Sequence, residues 1–316
     1  MNNVMKATAL TSSMALMAPT AFADGFQLSE KLSVSGFIDM STVYMDPDGG
    51  ASSSSSGLDQ FELDFLFQFD DNLSAQADLE YHDDGSGQLT DIEQAFFTYS
   101  LSEGLSVKAG RFLSYSGWET EEPTGLYQYS GTGYAGLFYG GYQQGASVHY
   151  GTDMFHAALS IINSVGDLVG TDTDSTNLGT ELMLAVMPFD GLTAKIFFIS
   201  EQETDLVNLW ASYAINGLTL AVEVNSSENA GGAAEADGYL LMANYAWEQF
   251  GITFRLHEFE TENSAGTTTL EASGITIAPS VQVSDNLLIV TEYRMDENDI
   301  TGAEMDTVAV EALITF

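Results

Sequence analysis

The sequence predicts an all-β protein, a transmembrane antiparallel β-barrel of about sixteen strands, with about fourteen or eighteen left open. Three observations predict it. Apolar and polar side chains alternate over many segments of about ten residues, the length of a tilted strand that crosses a bilayer. Short polar turns alternate with longer linkers along the chain. The chain of 316 residues also has no cysteine, so backbone pairing and burial must hold it together without disulfides.

The first 23 residues have the pattern of a secretory signal peptide. A short start with one lysine, Lys6, is followed by apolar and small residues. The segment ends in Ala21-Phe22-Ala23, which matches an A-x-A cleavage site. A buried N-terminal helix is the alternative. We therefore predict a signal peptide over residues 1–23 and one barrel domain over residues 24–316.

The alternation is clearest in "FELDFLFQF", from Phe61 to Phe69. Aromatic and aliphatic side chains stand at the odd positions, and Glu62 and Asp64 stand between them. Successive side chains of a strand point to opposite faces, so one face suits lipid and the other a wet interior. Aromatic residues near strand ends are predicted to form interfacial girdles: Tyr44, Phe69, Tyr81, Tyr99, Tyr150, Phe155, Phe189 and Trp247.

The lengths of the connections predict which end of the barrel faces the periplasm and which faces the cell exterior. Asn, Asp and Gly tolerate positive φ and so favour tight hairpins; they mark turns at Asp70–Asn72, Ser102–Gly104, Gly151–Asp153, Pro188–Gly191, Asn216–Gly217, Glu248–Phe250 and Ser284–Asn286. Longer linkers are predicted to alternate with these turns, at Asp46–Gly57, Asp83–Thr90, Ser114–Tyr142, Asn163–Asn177, Ser226–Asp237, Thr261–Thr269 and Met295–Glu304. Outer-membrane barrels have short periplasmic turns and longer extracellular loops. An antiparallel sheet in lipid must also close, because an open edge leaves backbone amides unpaired.

The charge is strongly acidic, with 46 Asp and Glu against 7 Lys and Arg, a net charge of −39. Nucleic-acid binding is excluded because it needs cationic side chains for the phosphates. Cations, in contrast, are concentrated near such a surface.

The alternation assigns a set of charged side chains to the inner, pore-lining face. One hypothesis is a transverse field between acidic and basic groups, and the alternative is simple solvation by lumen water. Arg111 breaks the pattern, which places it at the rim or predicts a bulge near Gly110. The predicted pore-lining residues are Asp39, Glu62, Asp64, Asp78, Glu80, Lys108, Glu181, Lys195, Glu223, Arg255, Glu292, Arg294 and Glu311.

The longest linker, residues 114–142, is the candidate constriction loop. A loop of this length is uncommon unless it is functional or disordered. We hypothesise that it folds into the barrel and narrows the pore, while an external surface loop is the alternative. Its candidate residues are Glu119, Glu121, Glu122, Tyr127 and Tyr129.

Motifs for catalysis or metal binding are absent from the sequence. The four histidines, among them His82 and His149, lack the H-E-x-x-H spacing of zinc ligands, and no G-x-S-x-G motif is present. The sequence therefore predicts no enzyme, no cofactor and no metal. An outer-membrane hydrolase with a polar rim is left open as a minor alternative.

Two stretches carry a family resemblance. "DIEQAFFTYSLSEGLSVKAGRFLSYSGWE" (Asp91 to Glu119) and "YQYSGTGYAGLFYGGYQQGASVHYG" (Tyr127 to Gly151) resemble the OmpL-like β-barrel porin family of Gram-negative bacteria. The terminal "VAVEALITF", ending at Phe316, is similar to the C-terminal signal for barrel assembly. The resemblance covers the first half of the chain and implies a porin-type barrel in the outer membrane.

The expected function is passive diffusion of small hydrophilic solutes and ions, with a preference for cations. A solute-specific channel for sugars or peptides, with Trp210 and Phe197 as a track, is the second hypothesis, and a non-conducting structural barrel is the third. The expected partners are outer-membrane lipid and lipopolysaccharide, the solutes, and the barrel-assembly machinery through the C-terminal strand. A homotrimer is left open.

Overall fold

The computed structural model describes residues 25–83, 88–119, 122–163 and 178–316, so the predicted signal peptide lies outside the described residues. Nearly all of the described chain is strand. The strands are β1 Phe26–Ser29, β2 Leu32–Pro47, β3 Ser53–Gln68, β4 Leu73–Asp83, β5 Gln88–Ser102, β6 Leu105–Leu113, β7 Tyr142–Gly151, β8 Phe155–Ile162, β9 Gly179–Val186, β10 Leu192–Glu201, β11 Thr204–Ile215, β12 Leu218–Glu228, β13 Glu235–Trp247, β14 Phe250–Glu262, β15 Thr268–Ser284, β16 Leu287–Asn298 and β17 Ala303–Thr315.

The sheet closes on itself. Each strand from β2 to β17 pairs antiparallel with the next, and β17 pairs back with β2, from Met305 opposite Pro47 to Thr315 opposite Phe37. The short β1 pairs with the beginning of β2. The result is the predicted sixteen-stranded antiparallel barrel. Closure leaves no sheet edge to expose unpaired amides to lipid.

All seven predicted tight turns join consecutive strands at one end of the barrel. In the turn between β11 and β12, Asn216 and Gly217 have φ of 49° and 82°. Two consecutive positive φ angles give the two-residue hairpin whose twist matches that of the flanking strands. The turn residues therefore specify these hairpins locally.

The connections at the opposite end are shorter than the sequence predicts, because the strands continue into them. The serine-rich stretch within the predicted linker Asp46–Gly57 begins β3, where Ser53 pairs with Met45 of β2. The predicted linkers over residues 226–237, 261–269 and 295–304 shrink for the same reason to residues 229–234, 263–267 and 299–302. Beyond the hydrocarbon layer of the membrane, polar residues form strand ladders as readily as apolar ones. Residue composition alone therefore places the boundary between strand and linker too early. Most of the predicted linker over residues 163–177 lies outside the described residues.

Burial alternates between successive residues in many of the strands, most clearly in β12. In β12, Leu220, Val222 and Val224 are exposed, whereas the intervening Ala221 and Glu223 are buried. The exposed apolar rows form the outer face, which suits hydrocarbon, and the polar rows point inward. In the described part of the chain, neither short helical segment is long or apolar enough to cross a membrane.

This outer face gives a first testable prediction. Replacing Val222 by Arg places a charge on the lipid-facing row, and we expect it to lower the free energy of unfolding by about 2–4 kcal/mol. Urea unfolding in lipid vesicles, followed by tryptophan fluorescence, measures the change. The control is Glu260→Arg, near the end of β14, where about 0–1 kcal/mol is expected. Equal losses in both variants would contradict the assignment of the outer face.

Candidate functional site

The connection between β6 and β7, residues 114–141, folds inside the barrel. It contains a 3₁₀ turn, Pro123–Gly125, and one helical turn, α1 Ala135–Phe138. Its residues contact inward side chains of strands on different sides: the Tyr129 hydroxyl lies 3.1 Å from Ser41 Oγ of β2, and the backbone N–H of Trp118 donates to Glu223 of β12 at 2.7 Å. The connection, called the inner loop below, therefore crosses the interior.

A buried ion pair is the first attachment of the inner loop. Arg255 Nη1 of β14 lies 2.5 Å from Glu119 Oε1, and the Arg255 side chain has no exposed surface. Thr132 donates to the other oxygen of Glu119 from its backbone N–H at 2.6 Å and from its hydroxyl at 2.9 Å. Arg255 Nη2 also donates to Thr276 Oγ1 at 2.9 Å. Buried charges are stable only when they are paired and hydrogen-bonded in this way.

A second attachment joins the loop to β16. The Ser130 hydroxyl donates to Glu292 Oε1 at 2.6 Å, and the Ser130 N–H donates to the other oxygen at 3.0 Å. Arg294 donates to the Thr132 carbonyl at 3.0 Å and pairs with Asp296, whose Oδ2 lies 2.7 Å from Nε. Both inward arginines, Arg255 and Arg294, are thereby occupied with the loop or with a neighbouring acid.

Two buried glutamates accept hydrogen bonds from the ends of the loop. Glu223 of β12 accepts from the Trp118 N–H, from Asn208 Nδ2 at 2.6 Å and from the hydroxyls of Tyr134, at 2.7 Å, and Tyr139. Glu181 of β9 accepts from the Ser114 hydroxyl and the Tyr115 N–H, both at 2.9 Å, and from Gln143 Nε2 at 2.6 Å. Several donors to one carboxylate offset its desolvation.

The Glu223 cluster gives a second prediction. Tyr134→Phe removes one hydrogen bond to a buried carboxylate, and we expect the free energy of unfolding to fall by about 1.5–3 kcal/mol. The matched control is Tyr239→Phe, because Tyr239 donates a similar hydrogen bond, 2.9 Å long, to Glu258 on the exposed surface. Urea unfolding in vesicles compares the two variants. A Tyr134→Phe loss no larger than the control's would show that this contact does not hold the loop.

Apolar packing covers one side of the interior. Trp118, Tyr134 and Phe138 of the loop belong to one buried cluster with Phe197, Trp210 and other side chains of β8 to β13. Trp118 packs edge-on against Trp210 with ring centroids 5.4 Å apart. Trp210 is only 1% exposed and Phe197 is fully buried. The hypothesis that these two residues form a solute track is therefore wrong: the inner loop covers them.

The inner wall formed by β2 to β5 and β17 is acidic. Asp39, Glu62, Asp78 and Glu311 are buried there, and Asp64 is half-buried. Ser35 donates to Asp64 at 3.0 Å, and Gln76 and Gln94 each donate to Asp78 Oδ2 at 2.8 Å. No lysine or arginine of the described residues lies within 4.0 Å of the carboxylates of Glu62, Asp64 or Asp78. This acidic wall thus depends on amides and hydroxyls.

Glu122 of the inner loop reaches the same wall. Gln60 Nε2 of β3 donates to Glu122 Oε2 at 3.0 Å, and the Tyr142 hydroxyl donates to Oε1 at 3.1 Å. Glu122 lies in the loop, outside the spanning strands, and burial raises the pKa of its carboxyl to about 7. The acidic wall and the loop therefore meet at this carboxyl.

The two inward lysines lie over aromatic rings. Lys108 Nζ is 4.4 Å from the centroid of the Phe96 ring, and Lys195 Nζ is 4.9 Å from that of Trp210. Such cation–π contacts partly compensate the lost hydration of a buried ammonium group. Neither lysine forms an ion pair with an acid in the described part of the chain.

The predicted pore-lining residues divide into two groups. Glu181, Glu223, Arg255, Glu292 and Arg294 point inward but hold the inner loop. The other group lies on the walls: Asp39, Glu62, Asp64, Asp78, Glu80, Lys108, Lys195 and Glu311. The two arginines are held by the loop or by Asp296, so only Lys108 and Lys195 are left to oppose the acids of the walls, and the transverse field stays a hypothesis.

The predicted loop residues also take different positions. Glu119, Glu122 and Tyr129 contact the wall as described above, while Glu121 lies outside the described residues. The Tyr127 ring stacks on Trp118 with centroids 6.2 Å apart, and its carbonyl accepts from Thr253 Oγ1 at 2.7 Å. At the other end of the molecule, the N–H of Phe316 donates to the Gly36 carbonyl at 3.0 Å and so extends the closing ladder.

Glu93 of β5 is the inward acid that the sequence pattern misses. By position it belongs with the outward Ala95 and Phe97, but the β4–β5 ladder shifts register between Asp78 and Leu79. This irregularity leaves Glu93 unpaired between Ile92 and Gln94 and buries its side chain. Arg111 Nε donates to the Glu93 carbonyl at 2.9 Å. The irregularity therefore lies in β5, and Gly110 itself is paired without a register shift to Phe96 of β5 and to Gly145 of β7.

Comparison with known proteins identifies the family. The Gram-negative porin family model matches residues 7–301. The chain belongs to this family. It is therefore a porin of the outer membrane, a channel for passive diffusion, as the resemblance of Asp91 to Gly151 predicted. No curated protein matches the chain.

Solved structures show the same fold at low sequence identity. A complex of Salmonella typhi OmpF with daunomycin is 16% identical with a TM-score of 0.73, over 90% of this chain and 97% of that one. An anion-selective porin from Comamonas acidovorans is 14% identical with a TM-score of 0.67, over 90% and 99%. The trimer form of OmpT, an outer membrane protein of Vibrio cholerae, is 12% identical with a TM-score of 0.63, over 91% and 100%.

Proposed function

We propose that this porin passes small hydrophilic solutes and ions by passive diffusion, prefers cations, and is narrowed by the inner loop. The observation that supports the cation preference is that the inward arginines are held in ion pairs, whereas several inward acids of the wall are not. Arg255 and Arg294 are paired with Glu119 and Asp296, whereas no lysine or arginine of the described residues lies within 4.0 Å of the Asp64 or Asp78 carboxylate.

Charge at the narrowest part of a pore sets its selectivity more than the total charge does. The inner loop leaves the acidic wall without opposing arginines, and Glu122 adds one more carboxyl on the loop side. A permeating cation is stabilised by such a wall, and an anion is repelled.

Influx of uncharged sugars into proteoliposomes tests the diffusion proposal. We expect swelling rates to fall steeply with sugar size and to rise linearly with sugar concentration. Saturation by one sugar or peptide would favour a solute-specific channel instead. The absence of swelling with every solute, combined with no ion current, would favour a structural barrel.

We propose a channel without enzymatic activity. The Tyr115 hydroxyl lies 3.0 Å from His149 Nε2, and the His149 ring faces that of His156 at 5.5 Å. These contacts pack the loop against β7 and β8. Cleavage of lipid or peptide by the purified porin, lost on changing His149, would overturn this part of the proposal.

The proposal extends to the surroundings of the barrel. Outer-membrane lipid and lipopolysaccharide surround the apolar rows, and the strand that ends at Phe316 presents the assembly signal to the barrel-assembly machinery. Light scattering in detergent distinguishes a monomer from a homotrimer. Truncation at Leu313 is expected to reduce insertion into the outer membrane without reducing synthesis.

A further inference from the structure

Three carboxylates converge where the inner loop meets the acidic wall. Glu62 comes from β3, Glu93 from the irregularity in β5, and Glu122 from the N-cap position just before the 3₁₀ turn of the loop. One oxygen of each lies within 4.8 Å of the others. Glu62 also belongs to an adjoining triad with Asp64 and Asp78, whose carboxylate oxygens likewise lie within 4.8 Å of one another. Two neighbouring groups of carboxylates thus share one side chain.

Two of the three carboxylates carry oxygens that have no partner. Glu62 and Glu93 are each only 4% exposed. Their Oε2 atoms are buried and accept no hydrogen bond from any residue that the structure describes. A buried carboxylate oxygen without a donor is unfavourable, and like charges at this distance repel. A ligand with positive charge would remove both penalties.

Nearby basic side chains do not supply that charge. Arg111 lies on β6, the strand next to Glu93 in β5, but its Nε donates to the Glu93 backbone carbonyl and not to the Glu93 carboxylate. The Lys108 ammonium lies over the Phe96 ring. No lysine or arginine of the described chain lies within 4.0 Å of the Glu62 or Glu93 carboxylate oxygens.

The chemistry of the cluster selects a hard divalent cation. Carboxylate and amide oxygens are the ligands that calcium and magnesium prefer. Calcium holds its ligands at about 2.3–2.6 Å and so bridges oxygens up to about 4.6–5.2 Å apart, whereas magnesium, at about 2.0–2.1 Å, bridges at most about 4.2 Å. The three oxygens lie within 4.8 Å of one another, inside the span that calcium bridges. Calcium also accepts irregular coordination geometry, whereas magnesium requires a near-ideal octahedron, so three side chains from two strands and a loop suit calcium better.

We infer that Glu62, Glu93 and Glu122 bind a calcium ion that fastens the inner loop to β3 and β5. The arginine attachments hold the loop to β14 and β16 on the other side, so the ion completes its fixation across the barrel. Calcium binding itself does not depend on the channel. Its effect on current rests on the proposed function, and calcium is expected to lower conductance and reduce the cation preference.

Terbium luminescence displaced by calcium, on the purified full-length porin in detergent, tests the site. The variant Glu62→Gln/Glu93→Gln is expected to weaken calcium binding by at least about tenfold. The matched control is Glu297→Gln/Glu304→Gln, which neutralises two exposed glutamates that face each other across β16 and β17. This control is expected to bind calcium like the parent.

The single variant Glu122→Gln changes only the loop and is expected to weaken binding while leaving the barrel's circular dichroism unchanged. Equal calcium affinity in the parent and in both cluster variants would overturn the inference, as would an equal loss in the control. Magnesium binding as tight as calcium binding would overturn the choice of ion. If the porin binds calcium but passes no current, the proposed function is refuted and the calcium site is supported. If it conducts but does not bind calcium, the calcium site is refuted and the proposed function is supported.

Discussion

Deleting residues 125–136 from the inner loop is expected to raise single-channel conductance by at least about twofold, because the remaining sixteen-stranded barrel encloses an aqueous channel. The deletion removes Ser130, Thr132 and Tyr134, which contact Glu292, Glu119 and Glu223. It leaves the barrel ladders intact, since the deleted residues belong to no strand. Planar-bilayer recording of single channels measures the change.

The control for this deletion is a shortened connection at the same end of the barrel. Removing residues 264–266, between β14 and β15, alters a connection whose hydrogen bonds join Asn263 to Ala265, Gly266 and Thr267 of the same connection. We expect its conductance to equal that of the parent. If the larger deletion also leaves the conductance unchanged, the inner loop does not restrict the pore.

Replacing Arg255 by Met is expected to lower the free energy of unfolding by about 3–5 kcal/mol, because it leaves the buried carboxylate of Glu119 without its charge partner. The pair links positions far apart in the chain, and the Arg255 side chain is fully buried. The double variant Arg255→Met/Glu119→Gln is expected to recover part of the loss, since neither side chain then carries an unpaired charge. Urea unfolding in vesicles gives all three values.

The exposed Lys31 supplies the comparison for Arg255. Lys31→Met removes a positive charge near a turn and is expected to change the free energy of unfolding by less than about 0.5 kcal/mol. Should Arg255→Met cost no more than Lys31→Met, or should the double variant be less stable than Arg255→Met, the ion pair would not be what secures the loop. Larger current fluctuations in Arg255→Met channels would independently report a loosened loop.

The barrel could be predicted from the sequence because its signals are local. The alternation from Phe61 to Phe69 fixes which face of β3 meets lipid, and Asn216-Gly217 fixes a hairpin within two residues. Each signal recurs along the chain, so errors at single boundaries do not change the architecture. The serine-rich start of β3 shows the limit: its pairing with β2 depends on a neighbouring strand and not on its own composition.

The candidate site was only partly predictable, because its contacts join residues that are far apart in the chain. Alternation places Arg255 and Glu223 on the inner face correctly. It does not show that Glu119 and Trp118 reach them, since this depends on where the inner loop crosses the barrel. Glu93 is missed for a related reason: one extra residue in β5 reverses the face, and no residue type in "DIEQAFF" marks the irregularity.

The most direct test of the account is the reversal potential of the purified porin in a planar bilayer under a potassium chloride gradient. No lysine or arginine of the described residues lies within 4.0 Å of the acidic-wall carboxylates of Glu62, Asp64 and Asp78, while Arg255 and Arg294 are held by the loop and by Asp296. We therefore expect ohmic channels whose reversal potential is shifted toward the potassium equilibrium potential. A reversal potential of the sign set by chloride would contradict it.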